Sequence, residues 1–133
     1  AMAENYRSEL SGLGIESCII EPGGYPTDFM DRLIHPSDEA RNAEYGDLAK
    51  APIGFAEGFE KALADNPAQN PQDVADAVVH LISQNPGERA FRTVVDKMGM
   101  GSPLVGYNEQ LEQITSGIYN AFGMGDMLKL NTK

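Results

Sequence analysis

The sequence predicts a mixed α/β fold with a small parallel sheet. A short apolar run at residues 15–20 ends at a Pro-Gly-Gly turn, and residues 90–96 form a second run rich in β-branched residues. Between them, residues 70–83 carry the i, i+3, i+4, i+7, i+8 apolar spacing of an amphipathic helix. Two parallel strands need a crossover connection, which is usually a helix. This order of elements therefore predicts that the two strands pair in parallel.

The first element in chain order is a helix over residues 2–13. It ends at Gly14 and leads directly into the first strand. Its apolar residues recur along one face at helical spacing. They are Met2, Tyr6, Leu10 and Leu13.

The first strand has weak alternation and few polar residues, which is typical of a strand buried on both faces. Its apolar residues are Ile15, Cys18, Ile19 and Ile20. Pro22 cannot donate to a sheet ladder, so we expect the strand to end there. Gly23 and Gly24 then allow either a turn that a Cβ would strain or the close approach of a ligand.

This turn is a candidate binding site. Ligands of open α/β sheets bind just beyond the carboxyl ends of the strands. The hydroxyl of Thr27 follows the two glycines. The Gly-rich turn at a strand end, followed by this hydroxyl, is therefore a candidate half of a binding site.

Residues 28–66 form a long insertion, in which we expect two helices. Ser37 can cap the first, beginning at Asp38, and apolar spacing predicts the second over residues 54–64. Two interpretations of the aromatic residues stay open: they pack the helices onto the sheet, or they line an apolar pocket. The pocket would be lined by Tyr25, Phe29, Met30, Phe55 and Phe59.

The crossover helix has strong start signals, with Asn70 as its cap and Pro71 in its first turn. Beyond the second strand, residues 98–133 form a tail with one helix, which Gly123 ends. Residues 99–104 contain two glycines and Pro103, and we expect a loop there.

Composition excludes several classes of function. With 20 acidic and 10 basic residues, the formal charge is −10. This charge repels phosphate backbones and anionic lipids, which argues against nucleic acid and membrane surfaces as partners. The chain has no apolar run near the ~20 residues that span a bilayer. Its single cysteine, Cys18, fits a cytoplasmic location.

The sequence offers no catalytic or metal-ligating motif. The two histidines, His35 and His80, lack cysteine or short carboxylate partners, so no metal site is predicted. Gly-x-Ser-x-Gly does not occur, and no tyrosine is followed by lysine four residues later. We therefore predict no catalytic residues in this chain.

A resemblance to a known family gives these elements a context. A helix ending in Ser-Glu-Leu, then Gly-Leu-Gly-Ile, a strand and Pro-Gly-x-x-x-Thr resembles the second half of the short-chain dehydrogenase/reductases. Residues 70–83 and 92–96 look like the last helix and last strand of that family. The tightest part of the resemblance is residues 9–27.

The resemblance implies the C-terminal portion of a Rossmann-like three-layer fold, as a single domain over residues 1–133 without its N-terminal dinucleotide-binding half. The family's Gly-rich turn, catalytic serine and Tyr-x-x-x-Lys pair would precede residue 1. The turn would contact the nicotinamide end of NAD or NADP. These contact residues would be Pro22, Gly23, Gly24, Tyr25 and Thr27.

The insertion would cover the substrate, with Phe29, Met30, Phe55 and Phe59 as pocket residues. Because the family binds the cofactor pyrophosphate in the missing half, we expect weak or no cofactor binding by this chain.

Two functions stay open. One is a truncated, catalytically incomplete oxidoreductase of an alcohol/carbonyl substrate. The other is a non-enzymatic oligomeric module that binds a small molecule or a protein. Two-stranded sheets are marginal alone and open edges invite pairing, so we expect a homo-oligomer or a complex with a complementary N-terminal half.

Overall fold

The structure, a computed structural model, describes residues 1–132. Its strands are β1 (Ile19–Pro22) and β2 (Arg92–Val95). Its α-helices are α1 (Met2–Leu10), α2 (Glu39–Glu44), α3 (Ala51–Ala64), α4 (Gln72–Ser83) and α5 (Ser102–Ala121). Short 3-10 helices cover Ser11–Leu13, Met30–Arg32, Gly46–Lys50 and Gly125–Leu128.

The described chain divides into two compact units. Unit 1 comprises residues 1–23 and 72–132 and contains both strands with α1, α4 and α5. Unit 2 comprises residues 24–71 and contains α2 and α3.

The sheet of unit 1 confirms the predicted mixed α/β fold and the parallel pairing. Ile19 lies opposite Arg92, and Pro22 lies opposite Val95. The amide of Ile19 donates to the Phe91 carbonyl at 2.7 Å, which opens the ladder. Helix α4 contacts both strands, as the crossover interpretation requires.

The first strand is shorter than predicted, because residue 15 completes the preceding helix instead of starting a strand. Gly14 adopts a left-handed conformation with φ of 75°. The amide of Ile15 then donates to the Leu10 carbonyl at 3.2 Å, which satisfies a carbonyl at the end of the helix. Ile15 is 52% exposed, so the expectation of a strand from this residue, buried on both faces, is wrong.

The helices of unit 2 begin at positions slightly different from those predicted. Asp38, not Ser37, caps α2, because its side chain accepts from the Arg41 amide at 2.9 Å. Helix α3 begins at Ala51, three residues before the predicted start. A proline in its first turn is tolerated, since the amide that proline lacks would have no helical partner there.

The predicted loop at residues 99–104 is only half correct, because α5 begins at Ser102. Pro103 lies in its first turn, where it favours the helix instead of preventing it. The helix ends as predicted. Gly123 has φ of 70°, and the Met124 amide donates to the Tyr119 carbonyl at 2.8 Å, the paired arrangement of a Schellman motif.

Very little apolar surface is buried. Among the described residues, Leu81 of α4 is the only buried hydrophobic residue, at 7% exposed. Polar contacts hold other parts of unit 1 together. Ser11, at the end of α1, donates its hydroxyl to the Met127 carbonyl at 2.6 Å and accepts the Asn131 amide on its own carbonyl at 2.9 Å.

Candidate functional site

The predicted cofactor turn is divided between the two units. Pro22 and Gly23 belong to unit 1 and follow directly from the pairing of β1 with β2. Gly24, Tyr25 and Thr27 belong to unit 2.

Gly23 lies at the carboxyl end of the sheet, where its amide donates to the Val95 carbonyl at 2.9 Å. Its φ is not positive, so backbone conformation does not require glycine here. Glycine is required because there is no space for a side chain. A Cβ on residue 23 would lie 2.1 Å from Oδ1 of Asp96 and 2.8 Å from its Cγ. The close approach to this glycine is made by the chain itself.

Asp96 organises the backbone that follows β2. Its Oδ2 accepts the Gly101 amide at 2.8 Å, and its Oδ1 accepts the Met98 amide at 3.3 Å. Gly101 is buried, and a Cβ there would lie 2.7 Å from Cγ1 of Val94. Asp96 was not among the residues predicted from the sequence. A carboxylate directly after a strand and before a glycine-rich turn was the available signal.

Gly24 has the same requirement for space within unit 2. A Cβ at this position would lie 2.3 Å from Cζ of Phe59. The Gly24 carbonyl accepts a hydrogen bond from the Gln69 side chain at 2.7 Å, and Gln69 is 2% exposed. Gln69 was also missed, because a glutamine between asparagines and prolines gives no sign of burial.

Unit 2 contains a cavity of about 540 Å³ beside this turn. It brings together five of the predicted residues: Tyr25, Thr27, Phe29, Met30 and Phe59. Asp28, Asp31, Glu60 and Leu63 complete most of its wall. Phe55 does not line the cavity. Its ring stacks on Phe59 with centroids 6.2 Å apart and planes 6° apart, and it is largely exposed.

The charge at the cavity is acidic. Asp28 pairs with Arg32 at 2.5 Å, whereas Asp31 and Glu60 line the wall without a basic neighbour in it. Apolar walls, two hydroxyl groups and carboxylates suit a neutral or cationic ligand better than an anion. The wall contains no lysine, histidine or cysteine.

Cys18 lies in unit 1 just before β1. Burial raises the pKa of its thiol, and the nearby Glu16 carboxylate raises it further, against opposing effects of Arg89 and Arg7. A thiol with a raised pKa is a poor nucleophile. The environment of Cys18 therefore does not activate its thiol.

The described residues contain neither a candidate metal site nor a candidate membrane-spanning helix. No group of three or more histidine, cysteine, aspartate or glutamate side chains could hold a metal ion there. No helix within residues 1–132 combines the length and the hydropathy needed to cross a membrane.

A scan of the sequence against protein-family models gives no match, and no curated protein matches it significantly.

Proposed function

We propose that this chain is the C-terminal part of a Rossmann-like short-chain dehydrogenase/reductase whose parent reaction is NAD(P)-dependent oxidoreduction of an alcohol/carbonyl substrate. The chain by itself is catalytically incomplete. One observation carries the proposal: a Pro-Gly turn follows the first of two parallel strands at their carboxyl ends, the edge at which α/β folds bind ligands. The choice of family rests on the resemblance of residues 9–27 to the short-chain dehydrogenase/reductases.

The residues present fit only one end of the cofactor. The Thr27 hydroxyl is exposed, and the cavity beside it has apolar walls, which suits the nicotinamide ring. The spaces left by the missing side chains of Gly23 and Gly24 are filled by Asp96 and Phe59, so neither glycine leaves an open cradle.

The phosphates fit poorly. The acidic wall of the cavity repels a pyrophosphate, and the sequence has no Gly-rich dinucleotide turn. When bound, NAD(P) supplies or accepts the hydride. The role of this chain is then limited to contacting the nicotinamide through residues 22–27 and enclosing the substrate with Phe29, Met30 and Phe59.

The first test is a titration of the purified chain with NADH and NADPH, followed by nicotinamide fluorescence. We expect no saturation at micromolar cofactor. The measurement is repeated after adding a separately expressed N-terminal half of a short-chain dehydrogenase that ends after its Tyr-x-x-x-Lys helix. We expect the mixture to bind cofactor and to oxidise alcohols. In this mixture, Thr27→Ala should raise the dissociation constant for the cofactor roughly 10-fold, because one hydrogen bond is lost.

Thr27→Ser is the matched control, because it keeps the hydroxyl group. A micromolar dissociation constant for the chain alone would refute the expectation of weak or no cofactor binding. A mixture that neither binds cofactor nor oxidises any alcohol would overturn the oxidoreductase assignment.

The second candidate function is a non-enzymatic module that binds a partner or a small molecule. The exposed apolar surface favours it, since 23 large hydrophobic residues are exposed and Leu81 is the only buried hydrophobic residue among the described residues. The same mixing experiment separates the two functions, because only the first predicts restored oxidation.

A further inference from the structure

The cavity of unit 2 has the size and the apolar wall of a small-molecule site. Its volume is about 540 Å³, within the range that such sites show. Aromatic and aliphatic side chains form much of the wall. They are Tyr25, Phe29, Met30, Phe59 and Leu63. A ligand that fills this cavity is therefore expected to carry an apolar or aromatic group.

The Phe59 side of the wall is held in place by contacts within unit 2. The Phe59 ring occupies the space that a side chain on residue 24 would need. The Gly24 carbonyl accepts a hydrogen bond from Gln69, which is buried. Phe59 also stacks on Phe55. This part of the wall is thus formed by the chain itself, without a ligand.

Carboxylates make the wall of the cavity negative. Asp28, Asp31 and Glu60 line it, and no basic side chain does. Asp28 is paired with Arg32, which lies outside the wall. Asp31 and Glu60 form no ion pair with another of residues 1–132. These two carboxylates belong to no group of acidic, histidine or cysteine side chains in that range that could hold a metal ion, so their charge suits an organic cation better.

We propose that this cavity binds a small organic cation, a primary ammonium group joined to an aromatic or aliphatic body. The ammonium group lies at Asp31 and Glu60, and the apolar body lies against the rings of Tyr25 and Phe59. An aromatic face attracts a cation in addition to the carboxylates. The net charge of −10 adds a long-range attraction for cations.

For the reaction proposed above, this inference names the class of substrate, which is an alcohol that also carries an ammonium group. That role rests on the proposed function. Binding of the cation does not rest on it, because residues 25–64 of this chain contain the whole wall.

The test compares three ligands of similar shape and different charge: phenylbutylamine, phenylbutanol and phenylbutanoate. At neutral pH the amine is a cation, the alcohol is neutral and the carboxylate is an anion. Each is titrated into the purified chain without cofactor, and the amide chemical shifts are followed by NMR. We expect the dissociation constant of the amine to be about 10-fold lower than that of the alcohol, and the anion to bind most weakly.

The same spectra locate the ligand. The shifts that change with the amine should belong to the two segments of the wall, residues 25–31 and 59–64. Equal dissociation constants for the amine and the alcohol would overturn the proposal. Shift changes confined to other parts of the chain would overturn it as well.

A double variant tests the two carboxylates. Asp31→Asn with Glu60→Gln keeps the size of both side chains and removes their charge. The amine should then bind no more tightly than the alcohol, and the alcohol should bind as before. Both side chains are exposed in the unmodified chain, so the fold should persist, which circular dichroism checks.

The matched control removes the same charge from unit 2 outside the wall. Glu44→Gln with Glu57→Gln changes one carboxylate in α2 and one in α3, neither of which lines the cavity. The roughly 10-fold preference for the amine should remain. Equal loss of this preference in both double variants would show that only the net charge attracts the amine, and the proposed site would be wrong.

The mixing experiment with an N-terminal half tests the proposed reaction separately. Binding of the amine by the chain alone, without oxidation by the mixture, would support the cation site and remove only the oxidoreductase assignment. Oxidation of alcohols by the mixture, without binding of the amine, would keep the reaction and overturn this inference.

Discussion

At the scale of the residue, Gly23 is the position most sensitive to a single added carbon. Its Cα faces the Asp96 carboxylate, which itself holds the amides of Met98 and Gly101. Gly23→Ala should lower the free energy of unfolding by about 1–3 kcal/mol, because the new methyl group would displace a carboxylate already bound on both oxygens. Urea unfolding followed by circular dichroism measures this loss.

The control for Gly23 is Gly12→Ala. Residue 12 also has no positive φ, and a Cβ there would meet no atom within 4 Å. This variant should be as stable as the unmodified chain or slightly more stable, since alanine restricts the unfolded chain. Equal losses in the two variants would mean that Asp96 does not restrict residue 23.

At the scale of the element, the ion pair between α1 and α5 makes stability depend on pH. The Arg7 guanidinium, through its hydrogen bonds, holds the pKa of Glu112 below its ordinary 4.5, in spite of partial burial. The folded chain thus releases this proton more readily than the unfolded chain. The contribution of Glu112 is fully present above pH 4.5 and is lost as pH falls through the lowered pKa.

Glu112→Gln should therefore be less stable than the unmodified chain at pH 7, and the difference should shrink as the pH is lowered below 4.5. Urea unfolding of both proteins across this range measures it. Glu109→Gln, which removes a carboxylate from the same helix without an ion pair among the described residues, controls for net charge. A stability difference for Glu112→Gln that is constant with pH would contradict the mechanism.

Helix α4 depends on an arginine outside it. The Arg89 guanidinium donates to the carbonyls of Leu81 and Gln84 at 2.7 and 2.9 Å and pairs with Glu16 at 2.5 Å. It thereby satisfies carbonyls at the helix end and complements the negative pole of the helix dipole. Because α4 contacts both strands, this arginine supports the sheet as well.

Arg89→Met should cost about 2–3 kcal/mol, because it leaves carbonyls and a partly buried carboxylate without a donor. The matched control is Lys129→Met, which removes an exposed pair with Asp126 and should cost less than about 1 kcal/mol. Unfolding in urea compares the two. Similar losses would show that Arg89 acts only as a surface charge.

At the scale of the whole molecule, unit 1 combines many polar contacts between its elements with very little buried apolar surface. Arg7 and Arg92 both lie over the Phe91 ring, at 4.5 and 4.7 Å from its centroid, and Arg92 also pairs with Glu4. Such pairs fix the positions of elements, but they compensate poorly for missing apolar burial. A chain with this balance is expected to gain stability from association, which is the physical reason for proposing a partner.

The sequence predicted most elements because their signals are local. The Pro22 stop of β1, the periodicity of α4 and the Gly123 end of α5 each depend on residues within one or two turns of the chain. The predictions that failed were boundaries. Ile15 was assigned to a strand although it completes a helix cap, and Pro103 was read as a loop although it starts a helix. Isoleucine is compatible with a strand and with the cap that ends a helix, and proline is compatible with a loop and with the first turn of a helix.

The candidate site was only partly predictable. Tyr25, Thr27, Phe29, Met30 and Phe59 do line one cavity, but whether they bind NAD(P) or a substrate stays a prediction. Phe55 has the helical spacing of a wall residue and lies outside that wall. The spacing of residues along a helix predicts which of them share one side of the helix. Only the tertiary packing decides which residue on that side reaches the cavity.

By itself, the sequence determined the order of elements, the parallel pairing and the need for glycine at residues 23 and 24. The tertiary structure decided why glycine is needed there, since Asp96 and Phe59, distant in sequence, occupy the space of the missing side chains. It also decided that α5 turns its polar face inward, through Arg7 and Glu21. Local propensities act over a few residues, whereas these contacts join residues between 35 and more than 80 positions apart, and no local pattern encodes them.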